Sequence, residues 1–94
     1  MRIIGLNRIH DFCAAHADCR RWLENWISDV KGSRWQTTHD IRLRYASASF
    51  LSSNVVIFNV KGNDYRLETQ VAFNVGVVTI KWIGTHAAYT RRNG

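Results

Sequence analysis

Ninety-four residues suffice for one compact domain with a single core and are too few for two domains that each bury enough apolar surface to fold. Hydrophobic residues make up 46% of the chain, with four Trp, four Phe and three Tyr, a composition that excludes disorder as the resting state. Thirteen Lys and Arg against seven Asp and Glu give a net charge of +6, which favours polyanionic partners through counterion release: nucleic acid first, an acidic protein second.

In chain order, residues 2–6 read as a short strand, followed by a helix with Asn7 as N-cap and Ile9, Phe12, Cys13 and His16 at helical spacing, ending near Asp18. Cys19, Trp22, Leu23, Trp26, Ile27 and Val30 then recur at intervals of three and four, with Arg20, Arg21, Glu24, Asn25, Asp29 and Lys31 on the other side. This predicts a strongly amphipathic second helix stopped by Gly32, and so a helical hairpin. Trp22 and Trp26, four apart on that helix, belong to the core rather than to a base-stacking platform. Residues 38–45 suggest a short third helix capped by Thr37 or Thr38, before the small-residue stretch 46–49.

From Phe50 the period becomes that of strands. Residues 54–60, 64–73 and 77–83 are rich in Val, Ile, Tyr, Phe and Trp, joined by turns at 61–64 and 74–76. The expectation is one α+β domain over residues 1–94, a helical hairpin packed on a three- to four-stranded antiparallel sheet. Residues 91–94 read as a frayed end.

Cys13 and Cys19 are the only cysteines and lack the framework that small secreted domains need, so they are expected to be reduced thiols. The first six residues are too short for a signal segment, and no apolar run approaches the roughly 20 residues of a membrane span. A cytoplasmic protein without a membrane anchor is the expectation.

Residues 32–94 carry eight basic and three acidic side chains, against five and four in residues 1–31, which places the expected anion site in the later two thirds. In the middle strand Tyr65, Leu67, Thr69, Val71 and Phe73 alternate with Arg66, Glu68, Gln70 and Ala72. Arg66 is therefore expected on the open face. Laying the third strand beside it brings residues 84–86 level with 63–66. One rim then gathers Lys61, Arg66 and His86, with Tyr89 a few residues on.

Such a set suits RNA cleavage by the substrate's own 2′-OH, which needs a base, an acid and cations on the phosphate but neither metal nor protein nucleophile. His86 is the candidate base or acid. Arg66 offers a planar fork to two phosphate oxygens, and Lys61 a mobile charge. From composition alone each has a plainer reading: Arg66 and Glu68 as a solvated sheet face, Lys61 as a soluble turn residue, His86 as a structural histidine. His10, His16 and His39 have no second ligand at metal spacing, so no metal site is expected, nor any cofactor. Ser47, Ser49, Ser52 and Ser53 have no nucleophile context, and a glycine-rich phosphate loop is lacking.

The run Val56-Ile57-Phe58-Asn59-Val60-Lys61-Gly62-Asn63-Asp64-Tyr65-Arg66-Leu67 closely resembles the signature of HigB-type toxins, and Ile80-Lys81-Trp82-Ile83-Gly84-Thr85-His86-Ala87-Ala88-Tyr89 resembles the closing segment of the same family. The likeness extends more loosely through Trp35, Asp40, Ile41, Tyr45 and Phe50 and over the hairpin. It implies a RelE-like toxin that cuts messenger RNA on the ribosome, paired in a hetero-oligomer with a HigA-type antitoxin whose helix-turn-helix domain alone binds operator DNA. On this resemblance Arg66 corresponds to the phosphate-binding arginine, His86 to the histidine of Gly-Thr-His, and Tyr89 to the tyrosine three residues later, all catalytic. Lys61, Asn63, Lys81 and Arg91 are the expected RNA contacts. The chain departs from the family pattern at Ala88 and Thr90, where Glu and Asp are usual, and in lacking proline between the third helix and the first long strand. The missing acids are the argument for the alternative, a non-enzymatic RNA-binding or co-repressor module on the same fold.

Overall fold

The computed structural model describes residues 1–93. Its helices are α1 (Leu6–Ala15), α2 (Arg20–Lys31), α3 (Thr38–Arg44) and α4 (His86–Asn93), and its strands β1 (Arg2–Ile4), β2 (Ser49–Leu51), β3 (Val55–Val60), β4 (Tyr65–Ala72) and β5 (Val77–Thr85). Short 3-10 turns occupy Ala17–Cys19 and Ser52–Asn54. This is the expected α+β arrangement with more strands. All five strands form one mixed sheet in the order β1-β5-β4-β3-β2, with β1 parallel to β5 and the other pairs antiparallel. The short strand expected at residues 2–6 is β1, but its parallel pairing with β5 makes the sheet mixed rather than antiparallel, and β2 is the added edge strand; neither has a length or alternation that announces its partner.

The apolar stripe of α2 behaves as its spacing requires: Leu23, Trp26 and Val30 are buried, together with Ile9 and Cys13 of α1. They pack on one sheet face, where Val56, Phe58 and Val60 of β3, Leu67, Thr69 and Val71 of β4, and Val78 and Ile80 of β5 are buried. Each large apolar side chain removed from water in this layer contributes ~1.5–3 kcal/mol. Phe58 centres an aromatic cluster, with ring centroids 5.3 Å from Trp26, 5.3 Å from Tyr45 and 6.4 Å from Trp35.

Asn7 is not the cap of α1. The strand turns into the helix at Gly5, whose φ of +94° disfavours a side chain and whose added Cβ would stand 3.2 Å from both Cβ and the carbonyl oxygen of Ile80. Close approach to β5 decides that boundary. The cap of α3 is as expected: Thr37 accepts from the Asp40 amide at 3.4 Å, and Asp40 Oδ2 accepts from the amides of Thr37 and Gln36 at 3.3 and 2.9 Å. The reading of residues 91–94 as frayed needs correction, because Arg91, Arg92 and Asn93 lie in α4; Gly94 falls outside the described residues. Cys13 and Cys19 are buried free thiols, and burial beside Cys13 pushes the Cys19 thiol up to about 11. Among the described residues, no helix is long and apolar enough to cross a membrane.

Candidate functional site

Arg66 stands on β4, opposite Asn59 of β3 and Gly84 of β5. Alternation turns it away from α1 and α2, as expected, yet it is only 9% exposed rather than open to solvent. Its Nη1 donates to the carbonyls of Asn63 and Tyr65 at 3.2 Å each, and its Nη2 to Asn63 Oδ1 at 2.6 Å. Nη2 also lies 2.6 Å from His86 Nδ1. A guanidinium can only donate, so Nδ1 must accept, and a neutral His86 carries its proton on Nε2. The His86 amide donates to the Asp64 carbonyl at 2.9 Å. The turn at 61–64 thus fastens both members of the pair.

His86 is the first residue of α4 rather than part of a loop after β5. Thr85 caps this helix, its Oγ1 accepting from the Ala88 amide at 3.1 Å. His86 and Tyr89, three apart, share a helix face, and the Tyr89 ring lies 5.9 Å from that of Trp82. Arg92 grips Glu68 through both terminal nitrogens, at 2.6 and 3.4 Å, and places its guanidinium 4.9 Å from the Trp82 ring centre. Glu68 raises the pKa of Arg92 further above its already high ordinary value. Trp82 in turn lies across Gly84, where any Cβ would collide with the indole.

Lys61 does not join Arg66. Its backbone is left-handed, with φ +52°, and its Nζ donates to Asp18 Oδ2 at 3.0 Å, on the side of the α1–α2 turn. Asp18 Oδ1 accepts from Tyr65 Oη at 2.6 Å. These partners hold the Asp18 carboxyl below its ordinary value, Tyr65 first and Lys61 second. Asp18 raises Lys61 and pushes Tyr65 up to about 12. Asn63 does join the site. Lys81 is the extra residue of a β-bulge, since Glu68 pairs with Trp82 and Thr69 with Ile80, and it is exposed. Arg91 is exposed on α4.

Asn63, Arg66 and His86 are therefore brought together, Tyr89 comes with His86 through α4, and Lys61 is drawn elsewhere. The sequence reading missed Asp18 and the Glu68–Arg92–Trp82 seat of α4. Thr85 was a legible cap signal, but the residues after it lack the apolar periodicity that marks a helix. Asp18 had no local signal, because its partners lie 43 and 47 residues away.

An amphipathic helical layer on one face of a mixed sheet, with an arginine and a histidine joined at the rim of the other, is the build of a RelE-like toxin. Over residues 19–92 the chain matches the model of the HigB toxin, the RelE-like toxic component of a toxin-antitoxin system, and it belongs to that family. None of the curated proteins compared with it matches. The protein is accordingly the toxin of a toxin-antitoxin system, with an antitoxin as its partner.

Proposed function

We propose that this toxin is an endoribonuclease that cleaves messenger RNA on the ribosome: the substrate 2′-OH loses its proton and attacks the adjacent phosphate, the P–O5′ bond breaks, and the departing 5′-oxygen takes up a proton. The observation that carries the reading is the 2.6 Å contact of Arg66 Nη2 with His86 Nδ1. It places a cation made for phosphate against an imidazole, a side chain that can both donate and accept a proton. Phosphate oxygens replacing Asn63 and His86 as acceptors would take the Arg66 fork and return the lone pair of Nδ1. His86 would then offer both a donor at Nε2 and an acceptor at Nδ1. Arg66 stabilises the charge that builds on the pentacoordinate phosphorus, while Tyr89, held with His86 on α4, positions the nucleotide. Asn63 keeps the guanidinium oriented until the phosphate arrives, and Lys81 and Arg91, exposed on the surface, meet the RNA backbone.

The missing acids at Ala88 and Thr90 favour a binding module that has lost the chemistry. Against that reading, the His86 ring is already oriented by Arg66, and Thr90 Oγ1 bonds back to the His86 carbonyl at 3.0 Å. In the substrate-free protein the imidazole is thus oriented without a carboxylate. On the same reading the chain acts as a single cytoplasmic domain. It is neutralised in a hetero-oligomer by a HigA-type antitoxin whose helix-turn-helix domain makes the operator contacts.

Purified toxin added to a reconstituted translation reaction, with 5′ ends mapped on a defined messenger, tests this. Cuts are expected only with ribosomes present and are lost in Arg66→Ala; folded toxin that never cuts under these conditions refutes the reading in favour of a binding module.

A further inference from the structure

We propose that Asp18, in the turn between α1 and α2, is a positioning residue for the Arg66–His86 site, holding the β3–β4 turn in the one conformation that fixes both side chains. The inference rests on the reading of that pair as the reactive site. It concerns a residue just outside the span matched to the family, which begins at residue 19.

The geometry has three connected parts. Asp18 spends its two oxygens on one short segment: Oδ2 accepts from Lys61 at its start and Oδ1 from Tyr65 at its end. Between these anchors lie Gly62, Asn63 and Asp64. Asn63 gives Arg66 two acceptors, its carbonyl and its Oδ1, and Asp64 gives the His86 amide its acceptor. The turn is thus gripped from the helical side by one carboxylate and used on the other side to hold the site.

The turn needs such a grip. Lys61 and Gly62 have consecutive positive φ values of +52° and +69°. Glycine adopts that region freely, but a lysine there is disfavoured and persists only where its surroundings impose it. Tyr65 and Arg66 are also strand neighbours that point to opposite faces. Pinning the Tyr65 hydroxyl fixes the roll of β4 at the residue before Arg66. With Tyr65 only 8% exposed, its bond to Asp18 is sheltered, unlike the outer Asp18–Lys61 pair, in which both side chains are nearly half exposed. Asp18 is ionised at neutral pH, since both partners lower its pKa.

The test compares wild type with Asp18→Ala, Asp18→Asn, Tyr65→Phe and Lys61→Met. The first readout is the ring-nitrogen NMR spectrum of His86, assigned by difference with His86→Gln, which reports the tautomer without any substrate. Wild type is expected as the Nε2–H form, with Nδ1 accepting. Asp18→Ala is expected to give a mixture of tautomers, and Tyr65→Phe a smaller change in the same direction. The second readout is messenger cleavage on the ribosome: kcat is expected to fall by up to about 10²-fold, the effect of a misplacement near 1 Å, with KM little changed.

A pure Nε2–H tautomer in Asp18→Ala, or, should that variant not fold, in both Tyr65→Phe and Lys61→Met, overturns the inference. Wild-type toxin that cuts nothing refutes the proposed reaction, while the tautomer measurement still decides the role of Asp18.

Discussion

Replacing Gly84 by alanine tests how the sheet carries α4. Gly84 does not have a positive φ, so an alanine backbone fits, and the whole effect is steric. The new Cβ would lie 2.6 Å from Trp82 Cζ2 and closer still to Cη2. The indole has nowhere easy to go, with Arg92 over its face at 4.9 Å and the Tyr89 ring at 5.9 Å. Overpacking of this kind costs ~1–3 kcal/mol. Displacing Trp82 also forfeits the cation–π contact, worth ~0.5–1 kcal/mol at an exposed site. The Arg92–Glu68 pair adds only ~0–1 kcal/mol, because Arg92 is 40% exposed and solvent screens it. The middle of these ranges sums to about 3 kcal/mol, which corresponds to a fall in Tm of roughly 12–24 °C for a domain of this size. Urea titration and calorimetry of the single variants and of Gly84→Ala with Trp82→Leu would measure it. The leucine background should absorb most of the cost, as a coupling of ~1–2 kcal/mol. Equal destabilisation in both backgrounds, or an unchanged Tm in Gly84→Ala, would refute the argument.

Arg66→Lys keeps the charge but loses the planar fork, so cleavage on the ribosome by folded protein should fall by about 10²–10³-fold, as for loss of one preorganised donor, and stability should drop by ~1–3 kcal/mol because buried acceptors lose their partner. Thr37→Ala removes one half of the capping box on α3 and should cost ~1 kcal/mol, read from the urea midpoint. Absorbance titration should find one tyrosine ionising near 12, Tyr65, and Asp18→Asn should bring it down toward 10.0. Because the folded value is raised, the stabilisation it reports is present below pH 10.0 and is lost as pH climbs to about 12. The acid limb has the opposite sign: Asp18 is held below 3.8, so its contribution is present above that pH and is lost as pH falls past it. Melting of wild type should therefore weaken more steeply below pH 3.8 than that of Asp18→Asn.

The parts of the fold that were legible are those written in local period. The three- and four-residue spacing of Leu23, Trp26 and Val30 named the buried face of α2, and the alternation from Tyr65 to Phe73 put Arg66 on the opposite face from the core. Register then carried Gly84 level with Arg66, which is where the pair lies. What escaped was set by distant neighbours. β1 pairs with β5 across almost the whole chain, and Gly5 is required by Ile80, not by its own surroundings. Lys61 belongs by position to the rim, but a carboxylate 43 residues away claims it. α4 takes its stability from Glu68 and Trp82 rather than from an apolar stripe of its own.

The mixed sheet has a bearing on how such a toxin can be disposed of. β1 is joined to the sheet through β5, and His86 follows immediately after β5, so the later segment carries both the outer seam and one member of the Arg66–His86 contact. The turn at 73–76, with Val75 67% exposed, is the kind of loop tip that proteases nick first. One cut there leaves Arg66 and His86 on separate chains. What was a contact within one molecule becomes an association between two fragments, which dilution opposes and continued digestion makes permanent. A single peptide bond in that turn thus decides whether the two side chains belong to one molecule or to two.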